Sequence, residues 1–138
     1  MIFLDSSALV KRYVREDRSD LVVDLMLEDP DWAASELAWT EARITLCHRG
    51  PEGATDSTIQ ADLASDWLRF STVSVDAECL AEAVQLGCRL GVRTLDAIHL
   101  AAAMRMPEDV RFLSFDRRQL EAATSLGLPV ILASGEAR

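Results

Sequence analysis

No apolar run in this 138-residue chain approaches the ~20 residues that a bilayer span needs. No basic stretch precedes a long apolar one at Met1-Ile2-Phe3-Leu4-Asp5, so a secretory leader is not expected, and a cytoplasmic location follows by default. Cysteine is scarce and odd in number: Cys47, Cys79 and Cys88, with no CxxC pair. A disulfide framework and a thiolate zinc site are therefore poor readings, and all three are expected to be reduced core residues. Lysine is nearly missing: Lys11 stands alone against thirteen arginines. The net charge of −9 excludes a protein that simply coats nucleic acid, which would carry a basic footprint. It does not exclude a nuclease, because carboxylates loaded with cations attract phosphate. It also suits a basic protein partner. Repeats, low-complexity tracts and long linkers are absent, and Pro51-Glu52-Gly53 separates two helices rather than two domains.

What is present is enough apolar material, 49% of residues, for one compact domain over residues 1–138. Ile2-Phe3-Leu4 reads as a buried strand ending at Asp5. Ser6 or Ser7 can cap a helix from Ala8 to Val14. Ser19 or Asp20 opens a second helix, with Leu21, Leu25 and also Met26 as inward candidates. Trp32-Ala33-Ala34 reads as a second strand. Ser35 caps a helix to Arg49 with Leu37, Ala38, Ala42 and Leu46 at helical spacing, and Gly50 suits its stop. Asp56 or Ser57 starts another helix, with Ile59, Leu63 and Trp67 inward. Thr72 to Val75 alternates as a strand, and Asp76 caps a helix whose Leu80, Val84 and Cys88 are spaced four apart, ending near Gly91. Thr94 caps a helix from Leu95 to Met104. Phe112 to Phe115 is an apolar strand stopping at Asp116, and Arg117 to Leu126 is a helix ending at Gly127. Val130-Ile131-Leu132 is a last buried strand. Strands alternating with helices predict an α/β fold, a mostly parallel sheet covered on both faces. Functional groups then gather beyond the carboxyl ends of the strands.

Four acids stand out on that plan. Asp5 and Asp116 each follow a buried strand and precede a helix, so a parallel sheet brings both to one rim. Either alone is adequately explained as a helix N-cap. Glu41 lies one turn after Leu37, on or beside the inward stripe of its helix, where a charge is costly unless paired or bound to metal. Asp96 opens an almost wholly apolar helix, Leu95 to Ala103, where the helix dipole favours it. Two unit charges ~4 Å apart repel by roughly 4 kcal/mol at moderate dielectric. Four clustered carboxylates must therefore protonate or admit cations. Hard oxygens favour Mg²⁺, with Mn²⁺ as a substitute. Such ions lower the pKa of a bound water and offset charge on a leaving oxygen, which suits phosphodiester hydrolysis.

These residues resemble the PIN-domain family, and within it the VapC toxins of toxin–antitoxin pairs, over nearly the whole chain. The run Ile2 to Lys11 is similar to the family's opening motif, and Ser35 through Glu41 to its second acidic motif. Leu95-Asp96-Ala97-Ile98-His99-Leu100-Ala101 matches the third most specifically. Phe112-Leu113-Ser114-Phe115-Asp116 resembles the fourth, and Gly127-Leu128-Pro129-Val130 the usual tail. The resemblance implies a three-layer α/β/α sandwich with a short, mostly parallel central sheet. It implies that Asp5, Glu41, Asp96 and Asp116 are catalytic metal ligands. Ser114 would hydrogen-bond within the cluster, and Ser6 would orient Asp5 or a metal-bound water. The implied activity is Mg²⁺-dependent endoribonuclease action, often on tRNA or rRNA, leaving 5′-phosphate and 3′-hydroxyl ends. The implied partners are a VapB-type antitoxin, whose C-terminal segment crosses the groove, and a second copy in a homodimer joined through helices.

Other residues fit blander roles. His99, one turn after Asp96, reads as a satisfied core residue with the option of a hydrogen bond to the site. Trp32, Trp39 and Trp67 fit core or dimer packing better than base stacking. Arg12, Arg15, Arg43, Arg117 and Arg118 read singly as solvated surface. A receiver domain would need a lysine beside its acidic pocket, and Lys11 lies in the first helix. A haloacid-dehalogenase-type phosphatase needs a second Asp at position 7, which is Ser7. A non-catalytic PIN-like protein-binding module is the alternative from another class, and its signature would be loss of an acid.

Overall fold

A computed structural model describes residues 1–49 and 58–131. The expectations at Gly50, at Pro51-Glu52-Gly53, at Asp56 or Ser57, and at Leu132 lie outside the described residues. The elements in chain order are β1 (Ile2–Leu4), α1 (Ser6–Tyr13), α2 (Ser19–Glu28), β2 (Trp32–Ser35), α3 (Glu36–Arg49), α4 (Thr58–Trp67), β3 (Ser71–Val73), α5 (Ala77–Leu90), α6 (Thr94–Ala103), β4 (Arg111–Leu113) and α7 (Arg117–Ser125). The sheet runs β3-β2-β1-β4 and every pairing is parallel. Phe3 pairs with Ala33 on one side and Phe112 on the other, so β1 is central and fully buried.

Side-chain alternation along the strands creates two cores. Ile2, Leu4, Trp32, Ala34 and Leu113 face α1 to α4, whose Ala8, Leu9, Val22, Met26, Ala38, Leu46 and Leu63 meet them. Phe3, Ala33, Val73 and Phe112 face the other way, against Cys79, Ala83 and Leu86 of α5, the buried run of α6, and Ala122 and Ala123 of α7. The result is the three-layer α/β/α sandwich. Phe3 and Phe112 stack across β1 and β4 with ring centroids 5.8 Å apart. Among the described residues, no helix is long and apolar enough to cross a membrane.

Several local expectations need correction. The first helix is capped by Asp5, whose carboxylate accepts from Ala8 N, and not by Ser6 or Ser7. The second is buried through Met26, as expected, and through Val22, which was not expected, with Leu21 and Leu25 only half-buried. α6 begins after Arg93 with no side-chain cap, and Thr94 is already helical. The strands read as Thr72–Val75 and Phe112–Phe115 are displaced to Ser71–Val73 and Arg111–Leu113. Among the described residues the last strand contributes a single bridge, Val130 to Phe112. On α5 the buried face is Cys79, Ala83 and Leu86, whereas Leu80, Val84 and Cys88 are exposed. Cys47 is exposed as well, so only Cys79 is a core cysteine. α5 and α6 pack along each other, and a Cβ added at Gly87 of α5 would stand 3.6 Å from Ala97 Cβ of α6, so this face sits close to its neighbour. α5 ends at Gly91, whose φ of +68° is a left-handed conformation that side chains resist.

Candidate active site

Because all four strands run the same way, the ends of β1 and β4 open on the same rim. The backbone N–H of Asp5 donates to Leu113 O at 3.2 Å, tying the two strand ends together. Asp5 is 4% exposed. Its Oδ1 accepts from Ser7 Oγ at 2.7 Å and Ala8 N at 3.0 Å, and its Oδ2 accepts from Ser114 Oγ at 2.5 Å. Ser114 Oγ in turn accepts from Asp116 N at 3.1 Å, and Ser7 Oγ from Phe115 N at 3.1 Å. A single hydroxyl thus lies between Asp5 and the backbone of Asp116. Burial pushes the Asp5 carboxyl above the ordinary range, against the opposing pull of Ser114, His99, Ser7 and Ala8. Asp116 Oδ1 caps α7 by accepting from Arg118 N at 2.9 Å and Gln119 N at 3.4 Å, which leaves Oδ2 facing elsewhere. For both aspartates the capping role and the place at the rim hold together.

Glu41 enters from α3. Its Oε1 accepts from Ser6 Oγ at 2.9 Å and lies 2.5 Å from His99 Nε2. His99 is 2% exposed, and its Nδ1 is 3.4 Å from Ser35 Oγ at the end of β2. Burial acts to raise the Glu41 carboxyl, but the His99 hydrogen bond and charge, with Ser6, outweigh it and hold the group below the usual carboxylate range. Glu36, the other acid of this motif, is exposed and meets Ser74 Oγ instead. Ser6 therefore contacts Glu41 rather than Asp5, and Ser7 takes the place expected for it. Ser114 does sit within the cluster.

Asp96 faces the rim from the first turn of α6. Its Oδ2 accepts from Arg93 Nε at 3.3 Å, and the same guanidinium donates through Nη2 to Asp116 Oδ2 at 3.4 Å. Gln119, fully buried, donates from Nε2 to Asp96 O at 3.2 Å, and its Oε1 has no hydrogen-bond partner among the described residues. Sequence reasoning missed Ser7, Arg93 and Gln119, and it weighted His99 toward the core. Four of the five flanking arginines are engaged elsewhere. Arg12 pairs with Asp66, Arg15 with Asp20, Arg43 with Gln60 and Arg117 with Glu121. Trp39 and Trp67 pack on one another at a tilt, and Trp32 packs on Phe70, which is packing rather than an open platform.

Asp5, Asp116 and Asp96 are thus linked in turn through Ser114 and Arg93, while Glu41 is held separately by Ser6 and His99. Among the described residues, no three carboxylate, imidazole or thiol side chains already stand at metal-ligand spacing. The donor chemistry nevertheless fits a hard divalent ion: carboxylate oxygens from two strand ends and two helices. The orphaned amide oxygen of Gln119 supplies a further buried acceptor beside Asp96. An unmatched acceptor in such a place is ordinarily met by water.

The family description "PIN domain" matches residues 2–125. The chain is 39% identical over 134 residues to Ribonuclease VapC46 of Mycobacterium tuberculosis, covering 96% of this chain and 98% of that protein. Among solved structures, a toxin–antitoxin complex from Klebsiella pneumoniae superposes with a TM-score of 0.69 at 15% identity, covering 96% of this chain and 97% of that one. VapC20 of Mycobacterium tuberculosis, described as a sarcin–ricin loop cleaving toxin, superposes with a TM-score of 0.72 at 18% identity, covering 88% and 95%.

Proposed function

The chain belongs to the PIN-domain family and to its VapC proteins, and on that premise we propose that it is the ribonuclease toxin of a toxin–antitoxin pair. In this reading it is a cytoplasmic endoribonuclease that needs Mg²⁺, or Mn²⁺ in its place. It cuts tRNA or rRNA to leave 5′-phosphate and 3′-hydroxyl ends. The observation that carries the reading is the pairing of strand-end acids. The carboxylate of Asp5 and the backbone N–H of Asp116 meet at one hydroxyl, Ser114 Oγ, and the carboxylate of Asp116 shares a counter-ion with Asp96. A fold that needed only helix caps would have no use for this convergence of charge.

Asp5, Asp96, Asp116 and Glu41 would hold the ions. Bound there, a divalent cation supplies Lewis acidity toward the phosphate and a more acidic water. The chain's own contribution is orientation. Ser7, Ala8 N and Ser114 fix both oxygens of Asp5. His99, held by Ser35, fixes Glu41 in its charged form. The cap bonds of α7 set the rotamer of Asp116. Such support of ligating carboxylates by outer hydrogen bonds is what sets metal affinity and geometry.

A basic VapB-type antitoxin suits the acidic surface, and the Klebsiella complex shows a similar fold with an antitoxin. The exposed Leu80 and Val84 of α5 support a homodimer joined through helix faces. The test is brief induction of the chain followed by mapping of RNA 5′ ends. Growth arrest with one dominant new 5′-phosphate end in a stable RNA is expected, and co-expression of the cognate antitoxin relieves it. Unimpaired growth with no new ends, from folded protein, would overturn the reading.

A further inference from the structure

Arg93 stands immediately before α6 in extended conformation, φ −69° and ψ 161°, and its side chain plays no part in capping the helix. Its guanidinium is instead spent on two carboxylates from different elements, Asp96 of α6 and Asp116 at the end of β4. The Arg93 side chain is 74% exposed, against 16% for Asp96 and 30% for Asp116. The cation therefore lies over the acids from the solvent side. Exposed ion pairs of this kind are individually weak, so the contact is easily exchanged. With Asp116 Oδ1 committed to the cap of α7, the two Oδ2 atoms that face Arg93 are the oxygens best placed for a divalent ion between Asp96 and Asp116, and an oxygen facing a guanidinium cannot simultaneously face a metal from that side.

We propose that Arg93 is an internal counter-ion that occupies the metal-free site and competes with the divalent cation for Asp96 and Asp116. The inference rests on the metal-binding reading above. Without Arg93 the acids repel one another unscreened, so the metal-free protein is less stable and gains more from the ion. With Arg93 in place, metal entry requires displacing it, and the apparent affinity falls by the strength of the contact. The long stem of Arg93 lets the guanidinium swing clear without disturbing α6.

The probe is Mn²⁺ alone, followed by electron paramagnetic resonance, with wild type, Arg93→Gln, Arg93→Lys and Asp96→Asn compared at low and high salt. Arg93→Gln is expected to bind Mn²⁺ about three- to tenfold more tightly than wild type at low salt, the range two exposed ion pairs supply. The difference shrinks at high salt as the ion pairs are screened. Arg93→Lys keeps the charge and stays close to wild type. In thermal melts without metal, Arg93→Gln melts lower than wild type, and Mn²⁺ closes the gap. If Mn²⁺ binds wild type, is lost in Asp96→Asn, and binds Arg93→Gln no more tightly, the proposal is overturned while the metal site stands. If Mn²⁺ binds none of the proteins, the metal reading fails and this inference falls with it.

Discussion

Asp5→Asn lowers the rate of RNA cleavage by about a thousandfold or more, the loss of several kcal/mol of transition-state stabilisation that metal-bound charge provides. The fold survives the change. Asparagine is an equally good N-cap, so Ala8 N keeps its acceptor, and the amide matches the carboxylate in shape between Ser7 and Ser114. Burial already opposes the charge of Asp5, so removing that charge relieves a cost in the metal-free protein. What the amide cannot do is supply an anionic oxygen to a cation. Asp96→Asn produces a similar loss of cleavage, because its carboxylate is the acid contributed by α6. Both are checked by single-turnover cleavage of end-labelled RNA alongside circular-dichroism melts. Undiminished cleavage by either variant would remove that residue from the mechanism.

Phe112→Ala destabilises the protein by about 3–5 kcal/mol, the usual cost of truncating a fully buried aromatic. That is a large share of the ~5–15 kcal/mol that holds a typical domain. Phe112 has no exposed surface, stacks on Phe3, and packs in the core between the sheet and α5 to α7. Its backbone N–H donates to Pro129 O and its carbonyl accepts from Ile131 N, so the chain is anchored on the outer side of β4 as well. Two residues further on, Ser114 begins the segment that carries Asp116. Denaturant unfolding measures the loss directly, and Phe112→Leu, which fills most of the space, recovers most of it. A cost below about 1 kcal/mol would mean that the stacked pair is not packed as described.

The layer architecture and the rim position of Asp5 and Asp116 were legible because a short, wholly apolar run that stops at an acid has few other readings. Ile2-Phe3-Leu4 and Phe112-Leu113 are buried on both faces, so their ends define the rim without knowledge of any contact. Helical phase favoured Glu41 over Glu36 without settling the choice; the contacts of Glu41 with His99 and Ser6, against the exposed Glu36, separate the two. The face of α5 was not legible. Leu80-Val84-Cys88 and Cys79-Ala83-Leu86 are both plausible apolar rows, and the choice is made by packing against α6. Period alone also mislocated the cap of α1, because Asp, Ser and Ser are consecutive and each can serve. Ser7 and Arg93 each meet a near neighbour, Asp5 and Asp96, but their second partners, Phe115 N and Asp116, lie far along the chain, as does Asp96 O from Gln119. Nothing in the local sequence marks those distant partners. His99 was a similar case: its apolar surroundings are real, yet its ring spans from Ser35 to Glu41.

The claim on which the functional account depends is that the acids at this rim take up a divalent cation. Crystals soaked in Mn²⁺ and measured at a wavelength where manganese scatters anomalously test it most directly. The account predicts an anomalous peak bounded by the carboxylates of Asp5, Asp96 and Asp116, with oxygens about 2.0–2.3 Å away and Arg93 turned aside. A well-ordered rim with no such peak at millimolar Mn²⁺, and Arg93 still bridging Asp96 and Asp116, would contradict it.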